Sequence, residues 1–566
     1  MLFYDFEVFK EDWLVVIKDT DTRVTHKIVN NVEELRVMHE ANKNNIWVGF
    51  NSRGFDQYIF KGILLDMDTK KISDHIIVQG LGGWEYSRAF NKIQLYNFDI
   101  MTDKFKGLKQ LEGFMGNDIR ETTVDFNTDR KLTPKEIEEV LFYCEHDVSQ
   151  TMQVFINRKE EFQSQMDLIK TFNLPLKYVG KTQTQLSAII LEADKKEHDD
   201  EFEITLIDNI KIEKYKHIVE WYKNPINLDY NKSLKIDVAG VPHVFAWGGL
   251  HGAISKYNGE GIFINSDVGS FYPSLAIEYS FLSRNVRHPE KYKEIYNHRM
   301  KLKHKGKKAE QAPYKLVLNK TYGGMKDQYN NLYDPVQANN ICVNGQLLLL
   351  DLIEHIEDKT SFKLIQSNTD GVMFKLNSEE DIPVYEAICK EWEERTTMTL
   401  EHDIISKVVQ KDVNNYIIVM KDGKVKSKGA YVKELNPLDN DLPIVNKALM
   451  DYFIKGIAPE NTINNCDELL QFQKIVKASS KYKHALHGDR IVNEKILRVF
   501  ASKSRRDPGV FKVKKGKDTP DKLASTPDRC FIDNSDIKDV KIPRKLDKKW
   551  YIEVVNKRIK DFIGEV

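Results

Sequence analysis

A short apolar strand that carries two carboxylates opens the chain and most constrains its fold. Side chains alternate along residues 2–8, so Asp5 and Glu7 lie on one face of a strand. Residues 13–18 form a second apolar run after a short connection, which predicts a paired strand. A helix predicted over residues 32–42 follows, and this alternation of strand and helix indicates a mixed α/β domain.

Further elements are predicted from periodicity and capping signals. Residues 46–50 and 92–100 have the pattern of strands, and Thr133 with Glu136 forms a capping box that begins a helix ending near Arg158. The later predicted elements are a strand at 261–268, a helix at 312–322 with Pro313 in its first turn, an apolar helix around 343–356, a hairpin at 362–376 and a mobile basic loop at 504–528.

Composition excludes several classes of protein. With 566 residues, 41% hydrophobic and 30% charged, the chain is expected to fold into three to four soluble globular domains. It contains no apolar run near the roughly 20 residues that a membrane helix needs, and its first residues carry acids where a signal peptide carries bases. The cysteines lie far apart without a CxxC pair, so we expect no disulfide framework or zinc knuckle, and a reducing cytoplasm.

Charge is balanced overall but unevenly distributed. The chain has 85 Lys and Arg against 85 Asp and Glu, yet residues 291–320 hold ten basic and two acidic residues. Residues 501–566 are also basic. Such stretches can neutralise phosphates, although a solvated lysine-rich surface gives the same pattern.

Four acids in the first 150 residues come from three separate parts of the predicted fold. Asp5 and Glu7 share a strand face, Asp56 follows the strand at 46–50, and Asp147 lies one helical turn after Tyr143. Such a set can hold two divalent cations about 4 Å apart, which activate water and stabilise the leaving oxygen in phosphodiester hydrolysis. Tyr143 is placed to orient the attacking water.

These residues in this order resemble the DEDD-type 3′–5′ proofreading exonuclease domain, which has an RNase H-like fold. The resemblance implies metal ligation by Asp5, Glu7, Asp56 and Asp147. It also implies that Asn51, in the segment Asn51-Ser-Arg-Gly-Phe-Asp56, contacts the single strand.

A second set of polar residues follows in the middle of the chain. Ser266-Asp267-Val-Gly-Ser-Phe-Tyr272-Pro ends an apolar strand with a carboxylate, and Asp370 lies at the tip of the predicted hairpin. Lys315, Asn319 and Tyr322 share one face of the helix between them. Each segment alone is also typical of a surface helix or an ordinary turn.

Together the three segments resemble motifs A, B and C of family B (α-like) DNA polymerases. The resemblance implies that Asp267 and Asp370 hold two Mg²⁺ (or Mn²⁺) ions. The exonuclease acids Asp5, Glu7, Asp56 and Asp147 are implied to hold two such ions as well. It implies that Tyr272 excludes a ribose 2′-hydroxyl. The implied nucleotide-binding residues are Arg299, Lys303, Lys315, Asn319, Tyr322 and Tyr272.

Weaker resemblances imply contacts with the primer strand. Tyr416 and Lys428 resemble the later palm segment of that family, and Gly248-Gly249 resembles the YxGG linker. The pattern departs from the family at Asn368, where the first acid of motif C is expected. It also departs at Asn414 and Ala246, which replace the lysine of the primer motif and the tyrosine of the linker motif.

The implied fold class is α/β and α+β multidomain: an RNase H-like exonuclease domain followed by a right-hand palm, fingers and thumb. The predicted divisions are an exonuclease at 1–165, a connecting region and palm start at 166–260, palm at 261–290, fingers at 291–330, palm at 331–430, and a basic, mostly helical thumb at 431–566.

The predicted function is template-directed DNA polymerisation with intrinsic proofreading, of the compact bacteriophage or mobile-element type. The expected partners are primer-template DNA and dNTPs, with a processivity or replisome protein as a further candidate, and the expected location is the cytoplasm of a bacterial host. The alternative is a DEDD exonuclease whose polymerase half binds DNA without activity, as Asn368 suggests. A non-enzymatic DNA-binding protein would require all six carboxylates to be incidental.

The spacing of the motifs predicts how synthesis starts. Family B enzymes that use a protein primer carry insertions between motifs A and B and between B and C. Here Asp267 to Lys315 spans 48 residues and Gly323 to Asp370 spans 47, which leaves no room for an added subdomain. We therefore expect a nucleic-acid primer, with limited processivity and strand displacement.

Overall fold

The computed structural model describes residues 1–101, 106–478, 482–516 and 519–564. The helices in these ranges are α1 (Val32–Asn42), α2 (Asp56–Leu64), α3 (Thr69–Ile77), α4 (Gly83–Tyr86), α5 (Leu108–Phe114), α6 (Pro134–Asn157), α7 (Lys159–Thr171), α8 (Gln183–Ile190), α9 (Lys216–Lys223), α10 (Phe271–Glu278), α11 (Pro289–His304), α12 (Lys308–Lys326), α13 (Pro335–Lys359), α14 (Ile382–Thr396), α15 (Pro443–Lys455), α16 (Pro459–Asn464) and α17 (Lys548–Ile563). The strands are β1 (Leu2–Val8), β2 (Trp13–Asp19), β3 (Thr25–Val29), β4 (Ile46–Gly49), β5 (Tyr96–Asp99), β6 (Ser233–Val238), β7 (Val241–Ala246), β8 (His251–Ala253), β9 (Tyr257–Val268), β10 (Lys363–Asn368), β11 (Gly371–Lys375), β12 (Leu400–Asp412), β13 (Asn415–Met420), β14 (Val425–Lys428), β15 (Lys474–Lys477), β16 (Tyr482–His487), β17 (Arg490–Val492), β18 (Ile496–Ala501), β19 (Val510–Lys514), β20 (Pro520–Lys522) and β21 (Cys530–Ile532).

The chain is a mixed α/β protein that divides into two compact units, each built from three segments of sequence. Unit 1 contains Met1–Lys181, Leu435–Val445 and Glu460–Glu553. Unit 2 contains Thr182–Glu434, Asn446–Pro459 and Val554–Val566. Within the described ranges, no helix combines the length and the apolar character needed to cross a bilayer.

The first sheet of unit 1 has the strand order β3-β2-β1-β4-β5. β1 pairs antiparallel with β2 and parallel with β4, so the predicted pairing of the first two strands is confirmed. Apolar side chains on both faces of this sheet are buried, with Tyr4 and Phe6 on one face and Phe3 on the other. Asp5 and Glu7 therefore lie on the Phe3 face. Since Cys144 belongs to the same core cluster as Phe3, this is the face that α6 covers.

Several predicted elements of unit 1 are confirmed closely. The helix predicted at 32–42 is α1, and the Thr133 capping box begins α6, with the Thr133 side chain accepting from Glu136 N. The strand predicted at 92–100 is shorter, because only Tyr96–Asp99 pairs with β4. Local capping and apolar periodicity were sufficient signals for these elements.

The C-terminal part of unit 1 corrects the prediction of a mostly helical thumb. It forms a three-stranded sheet, β15-β18-β21, and a four-stranded sheet, β17-β16-β19-β20. The loop predicted at 504–528 contains β19 and β20. These strands are three to six residues long, too short for a clear alternating pattern. β16–β17 and β19–β20 are local hairpins, whereas the other pairings join strands further apart in the sequence, so local sequence gave little sign of the two sheets.

Unit 2 is organised around a nine-stranded sheet with the order β14-β13-β12-β9-β11-β10-β8-β7-β6. The long strand β9 pairs with both β11 and β12. The predicted hairpin is confirmed as β10 and β11, with Asn368 opposite Gly371 across the turn. The predicted strand at 261–268 and the predicted apolar helix are also confirmed, as the end of β9 and as the largely buried α13.

The helix that carries Lys315 begins earlier than predicted. α12 starts at Lys308, so Pro313 lies inside the helix and the expectation that it lies in the first turn was wrong. The first turn of α12 is polar and exposed, which explains why apolar periodicity did not reveal it. Lys315, Asn319 and Tyr322 all remain on this helix, two, six and nine residues beyond the proline.

Candidate active sites

The first candidate site lies in unit 1, where a strand and two helices bring together four carboxylates. β1 supplies Asp5 and Glu7, α2 begins at Asp56, and α6 supplies Asp147. The Phe6 amide on β1 donates to Asp56 Oδ1 at 3.0 Å, which fixes that carboxylate against the strand. Glu7, Asp56 and Asp147 are each less than 9% exposed.

The four carboxylates disfavour one another's ionisation. Burial raises the pKa of Asp5 well above its usual range, and the neighbouring Asp56, Glu7 and Asp147 raise it further. Burial likewise raises the pKa of Glu7, of Asp56 to about 7 and of Asp147 to about 6. Hard divalent cations prefer carboxylate oxygens, and a bound cation would relieve this repulsion, so the donor set fits such ions.

A lysine that the sequence analysis missed lies within this site. Lys109 on α5 forms an ion pair with Asp147 and a second with Glu112 at 3.2 Å. Although burial alone would lower the pKa of Lys109, the Asp147 and Glu112 carboxylates raise it, so Lys109 is a cation at neutral pH. Glu112 is fully buried and lies 3.5 Å from Nε2 of His146.

Tyr143 lies one turn before Asp147, as predicted, with its ring beneath the Lys109 ammonium at 4.5 Å from the ring centroid. Burial and the nearby carboxylates raise the pKa of Tyr143 far above its usual range, so the phenol keeps its proton. The neighbouring Cys144 thiol donates to the Asp5 carbonyl at 3.3 Å. Burial raises the pKa of the Cys144 thiol as well, and its sulfur lies with the Asp5 and Glu7 carboxylates in a group close enough to share one metal ion.

Asn51 lies in a turn that Asp99 holds in place. The amides of Asn51 and Arg53 donate to the two carboxylate oxygens of Asp99 at 2.9 and 3.0 Å. Asn51 has a left-handed backbone, with φ of 59°, and its residue is exposed to solvent. The structure therefore places Asn51 on a fixed turn shortly before Asp56, and Asp99 is a supporting residue that the sequence analysis missed.

The second candidate site lies in unit 2, where two strand ends meet. Asp267 is near the end of β9 opposite Gly371, and Asp370 occupies the turn of the β10–β11 hairpin. The Val268 amide donates to the Asp370 carbonyl at 2.7 Å, which ties the hairpin turn to β9. On the other side, Asp267 is opposite Glu401 of β12.

Electrostatics and packing both act on Asp267. Burial raises the pKa of Asp267 to about 6, and the Asp370 and Asp403 carboxylates raise it, while Asn265 and Lys426 oppose the shift. A Cβ at position 371 would overlap Oδ1 of Asp267, so glycine leaves the space that this carboxylate occupies. Asp267 and Asp370 are carboxylates that suit hard divalent cations.

A cleft of about 620 Å³ opens beside these two acids. Its lining includes most of the residues predicted from the sequence, namely Asp267, Tyr272, Arg299, Lys303, Lys315, Asn319 and Asp370. The cleft therefore combines carboxylates on the sheet with basic side chains on α11 and α12. An anionic ligand that brings its own cations matches this distribution of charge.

The basic residues of the cleft differ in how they are held. Arg299 is 5% exposed and donates to Ser270 Oγ and to Gln311 Oε1, the latter at 3.0 Å. Lys303 forms an ion pair with Glu401. Lys315 is exposed on the cleft wall. The rigid guanidinium and the exposed ammonium thus face the same space.

Two tyrosine rings pack against each other at the site, and one of them lines the cleft. The rings of Tyr272 and Tyr322 lie 4.5 Å apart between centroids, with an interplanar angle of 60°. Burial raises the pKa of both phenols, so both remain protonated. Tyr272 lines the cleft itself, whereas Tyr322 supports it from behind.

A smaller cavity of about 180 Å³ adjoins Asp267 on the sheet. Asn368, Asp403, Tyr416 and Lys426 are among its lining residues. Lys428 lies opposite Tyr416 in the pairing of β14 with β13 but does not line either cavity. The structure thus brings Tyr416 to the acids and leaves Lys428 at the strand edge.

The glycine pair precedes β8 and lies close to the hairpin turn. A Cβ at Gly249 would meet the Thr369 side chain, with Cγ2 at 3.0 Å. Gln346 of α13 donates to the Gly248 carbonyl at 2.7 Å. Gly249 is therefore next to the hairpin turn that carries Asp370, and α13 holds Gly248 through the Gln346 hydrogen bond.

The missed residues of both sites share a physical explanation. Lys109 and Glu112 are on a seven-residue helix, whose one-turn spacing of opposite charges is the only local signal. Glu401 and Asp403 reach the second site through the register of β12 with β9, which involves residues more than a hundred positions apart. Non-local register of this kind has no signature in a single sequence.

The comparisons with known proteins find likenesses among solved structures. No protein-family model matches the chain, and no curated protein matches it. Among solved structures, the chain is similar to the family B DNA polymerase from the hyperthermophilic archaeon Pyrobaculum calidifontis. That similarity has a TM-score of 0.44 and 14% sequence identity, and it covers 100% of this chain and 78% of the other.

Proposed function

We propose that the protein is a template-directed DNA polymerase that extends a nucleic-acid primer and proofreads with its own 3′–5′ exonuclease. The observation that carries the proposal is the cleft in unit 2. There, Asp267 and Asp370 lie beside Arg299 and Lys315 in a space of about 620 Å³. Nucleotidyl transfer requires carboxylates that bind divalent cations and basic side chains that bind phosphates.

In the polymerase site, the residues of this chain would position the primer 3′-hydroxyl and the triphosphate of the incoming nucleotide. Two bound Mg²⁺ ions would activate the primer 3′-hydroxyl and neutralise charge on the pyrophosphate. Asp267 and Asp370 would hold these ions. Arg299, fixed by Ser270 and Gln311, would present a rigid fork to the triphosphate.

Further side chains of the cleft would select and place the nucleotide. Lys303 and Lys315 would contribute positive charge to triphosphate binding. The packed ring of Tyr272 would lie against the sugar and leave no room for a 2′-hydroxyl, with Tyr322 supporting it. Asn319, exposed on the cleft wall, would face the nascent base pair.

In the exonuclease site, the carboxylates Asp5, Glu7, Asp56 and Asp147 would hold two divalent ions, which supply an activated water and stabilise the leaving oxygen. The protonated phenol of Tyr143 would donate a hydrogen bond to orient that water. Lys109 fixes Asp147 by an ion pair and would place a positive charge beside the scissile phosphate.

DNA contacts would extend from both sites. Asn51, on its fixed turn, would contact the single strand near the exonuclease site. Tyr416 and Lys428, opposite each other on β13 and β14, would hold the primer, and Gly248 with Gly249 would let the backbone approach closely. An accessory processivity or replisome protein is a further proposed partner.

The proposed architecture follows the same assignment. In the first sheet β1 pairs antiparallel with β2 and parallel with β4, and this mixed sheet supports the proposal of an RNase H-like exonuclease domain. The nine-stranded sheet of unit 2 supports the proposal of a palm. The predicted divisions at 165, 260, 290, 330 and 430 remain predictions. A bacteriophage or mobile element, acting in the cytoplasm of a bacterial host, is the proposed source of such a chain.

Extension of a 5′-labelled primer on a longer template tests the polymerase proposal. Purified protein with Mg²⁺ and four dNTPs should extend the primer to the template end, and a chelator should abolish extension. A matched reaction with Asp370→Asn separates this activity from a contaminating polymerase. Absence of any extension by folded wild-type protein would contradict the proposal.

A second candidate function has one specific observation in its favour. The residue at 368, in the hairpin that carries Asp370, is an amide and adds no negative charge to the site. A DEDD 3′–5′ exonuclease with a DNA-binding but inactive polymerase half would fit that substitution. Degradation of single strands without extension of any primer would favour this alternative.

A further inference from the structure

We propose that Arg498 is a positioning residue for the exonuclease site, acting through α5 on Lys109. The inference rests on the proposed exonuclease function of unit 1. Arg498 belongs to β18, far along the sequence from every carboxylate of that site. Its side chain is 0% exposed, and no carboxylate of the described residues forms an ion pair with it.

The buried guanidinium is satisfied by oxygen acceptors that are all uncharged. It donates to Gln473 Oε1 at 3.1 Å and to the carbonyls of Asp533 and Ser535. Its remaining hydrogen bonds reach the carbonyls of Gly113 at 3.2 Å and Asn117 at 2.7 Å. A buried charge is costly unless every donor is paired, so this environment is built around an arginine.

Those last two carbonyls are at the C-terminal end of α5. The final carbonyls of a helix have no partner inside it and carry the negative end of the helix dipole. Gly113 belongs to the last turn of α5, and Asn117 follows soon after it. The Gly113 carbonyl also accepts from the Gly116 amide at 3.1 Å, so the positive charge of Arg498 adds to the capping of this helix end.

Other residues of the same C-terminal segments hold the neighbouring carbonyls. Gln473 Nε2 donates to the Phe114 carbonyl at 3.1 Å, and the Ile537 amide donates to the Gly116 carbonyl at 2.9 Å. The stretch from 113 to 117 is thus attached to residues 473–537 through four of its five carbonyls, those of residues 113, 114, 116 and 117. Arg498 supplies two of these attachments and is the only one of these groups that carries a charge.

The N-terminal half of α5 carries Lys109, which faces the Asp147 carboxylate. Lys109 pairs with Asp147, and Glu112 is adjacent to Gly113 in the chain. At a rise of about 1.5 Å per residue, Lys109 is only about 6 Å along the axis from Gly113. A shift at the Arg498 end would therefore move the Lys109 ammonium relative to Asp147. Misplacement of a catalytic group by about 1 Å can cost about a hundredfold in rate.

The test compares four proteins: wild type, Arg498→Met, Lys109→Ala and the double variant. Single-turnover degradation of a 5′-labelled single strand and primer extension are measured on the same preparations. We expect Arg498→Met to slow degradation by about a hundredfold, with extension unchanged. In the Lys109→Ala background the same change should add less than about threefold, because its effect passes through Lys109.

A purely structural role predicts a different result. If Arg498→Met lowered degradation equally in the wild-type and Lys109→Ala backgrounds, or left the wild-type rate unchanged, the inference would be overturned. Arg395→Met, which removes a partly buried guanidinium paired with Asp351 in unit 2, is the matched control and should leave degradation unchanged.

A conservative variant keeps the test decisive if Arg498→Met is poorly folded. Lysine retains the charge but not the planar fork, so Arg498→Lys should lose about tenfold in degradation. An unchanged rate in folded Arg498→Lys would overturn the inference. Wild-type protein that degrades no single strand at all would instead overturn the proposed exonuclease itself, and the two failures are thus distinguishable.

Discussion

At the scale of single residues, Gly371 shows how close packing fixes the position of a neighbouring carboxylate. A Cβ at this position would overlap Oδ1 of Asp267. We therefore expect Gly371→Ala to displace the Asp267 carboxylate and slow primer extension by about a hundredfold or more. Single-turnover extension measures this loss. Degradation by the same preparation is the internal control, and an extension rate near that of wild type would contradict the steric argument.

Tyr272 provides a second prediction at this scale, concerning sugar selection. Its ring is held against Tyr322 and lines the cleft, so it cannot move aside easily. Tyr272→Val should raise incorporation of ribonucleotides relative to deoxynucleotides by at least about tenfold. Tyr272→Phe keeps the ring and should keep wild-type selectivity. If Tyr272→Val discriminated against ribonucleotides as strongly as wild type, another residue would have to exclude the 2′-hydroxyl.

The pKa values of the exonuclease acids predict a pH dependence of degradation. Asp56 has a pKa of about 7 and Asp147 of about 6, so protons compete with cations near neutral pH. Degradation should fall as the pH decreases through this window, by about tenfold per pH unit for one essential carboxylate. A higher Mg²⁺ concentration should move the fall to lower pH. A rate independent of pH between about 5 and 8 would contradict this.

The same pKa values have a consequence for stability. An unfolded Asp loses its proton near pH 4, whereas folded Asp56 and Asp147 keep theirs to about 7 and about 6. Without a cation, the free energy of unfolding therefore decreases as the pH rises through this range. Added Mg²⁺ should raise the melting temperature more at about pH 7.5 than at about pH 5.5.

At the scale of elements, strand β1 and the β10–β11 hairpin should carry separable activities. Asp370→Ala on the hairpin should abolish extension and spare degradation. Asp5→Ala with Glu7→Ala on β1 should reduce degradation by at least about a thousandfold and spare extension, because two of the cation ligands are lost. Gel assays on a mismatched primer measure both activities. Loss of both activities in either variant would contradict separate sites.

Sequence revealed those elements whose signals are local. The capping box of Thr133, the alternation of residues 2–8 and the turn at Asn368–Gly371 each predicted an element that the structure contains. The strands from 474 to 532 were missed, because strands of three to six residues are too short to show a clear alternating pattern. Lys109, Asp99 and Glu401 were missed for a related reason, since only the folded chain brings them to the acids.

At the scale of the whole molecule, the intervals between motifs bear on priming. Helices α10 and α11 and the start of α12 occupy the interval from Asp267 to Lys315, while α13 and β10 occupy most of the second interval. We therefore expect a nucleic-acid primer and limited processivity without an accessory factor. A template-challenge assay with trapping competitor measures product length. Products of thousands of nucleotides per binding event, or covalent labelling of a protein by the first nucleotide, would contradict this.

The attachment of α5 to β18 also has a consequence for the way the chain folds. The hydrogen bond from Arg498 to the Gly113 carbonyl joins residues 385 positions apart. Between them lies nearly all of unit 2, so unit 2 is in effect an insertion within unit 1. During synthesis most domains fold from the N-terminus onward, but unit 1 also needs residues 460–553, which are translated after most of unit 2. A ribosome that has not yet translated residues 460–553 therefore holds an N-terminal sheet whose partners from that segment do not yet exist, and contacts between residues so far apart in sequence form slowly.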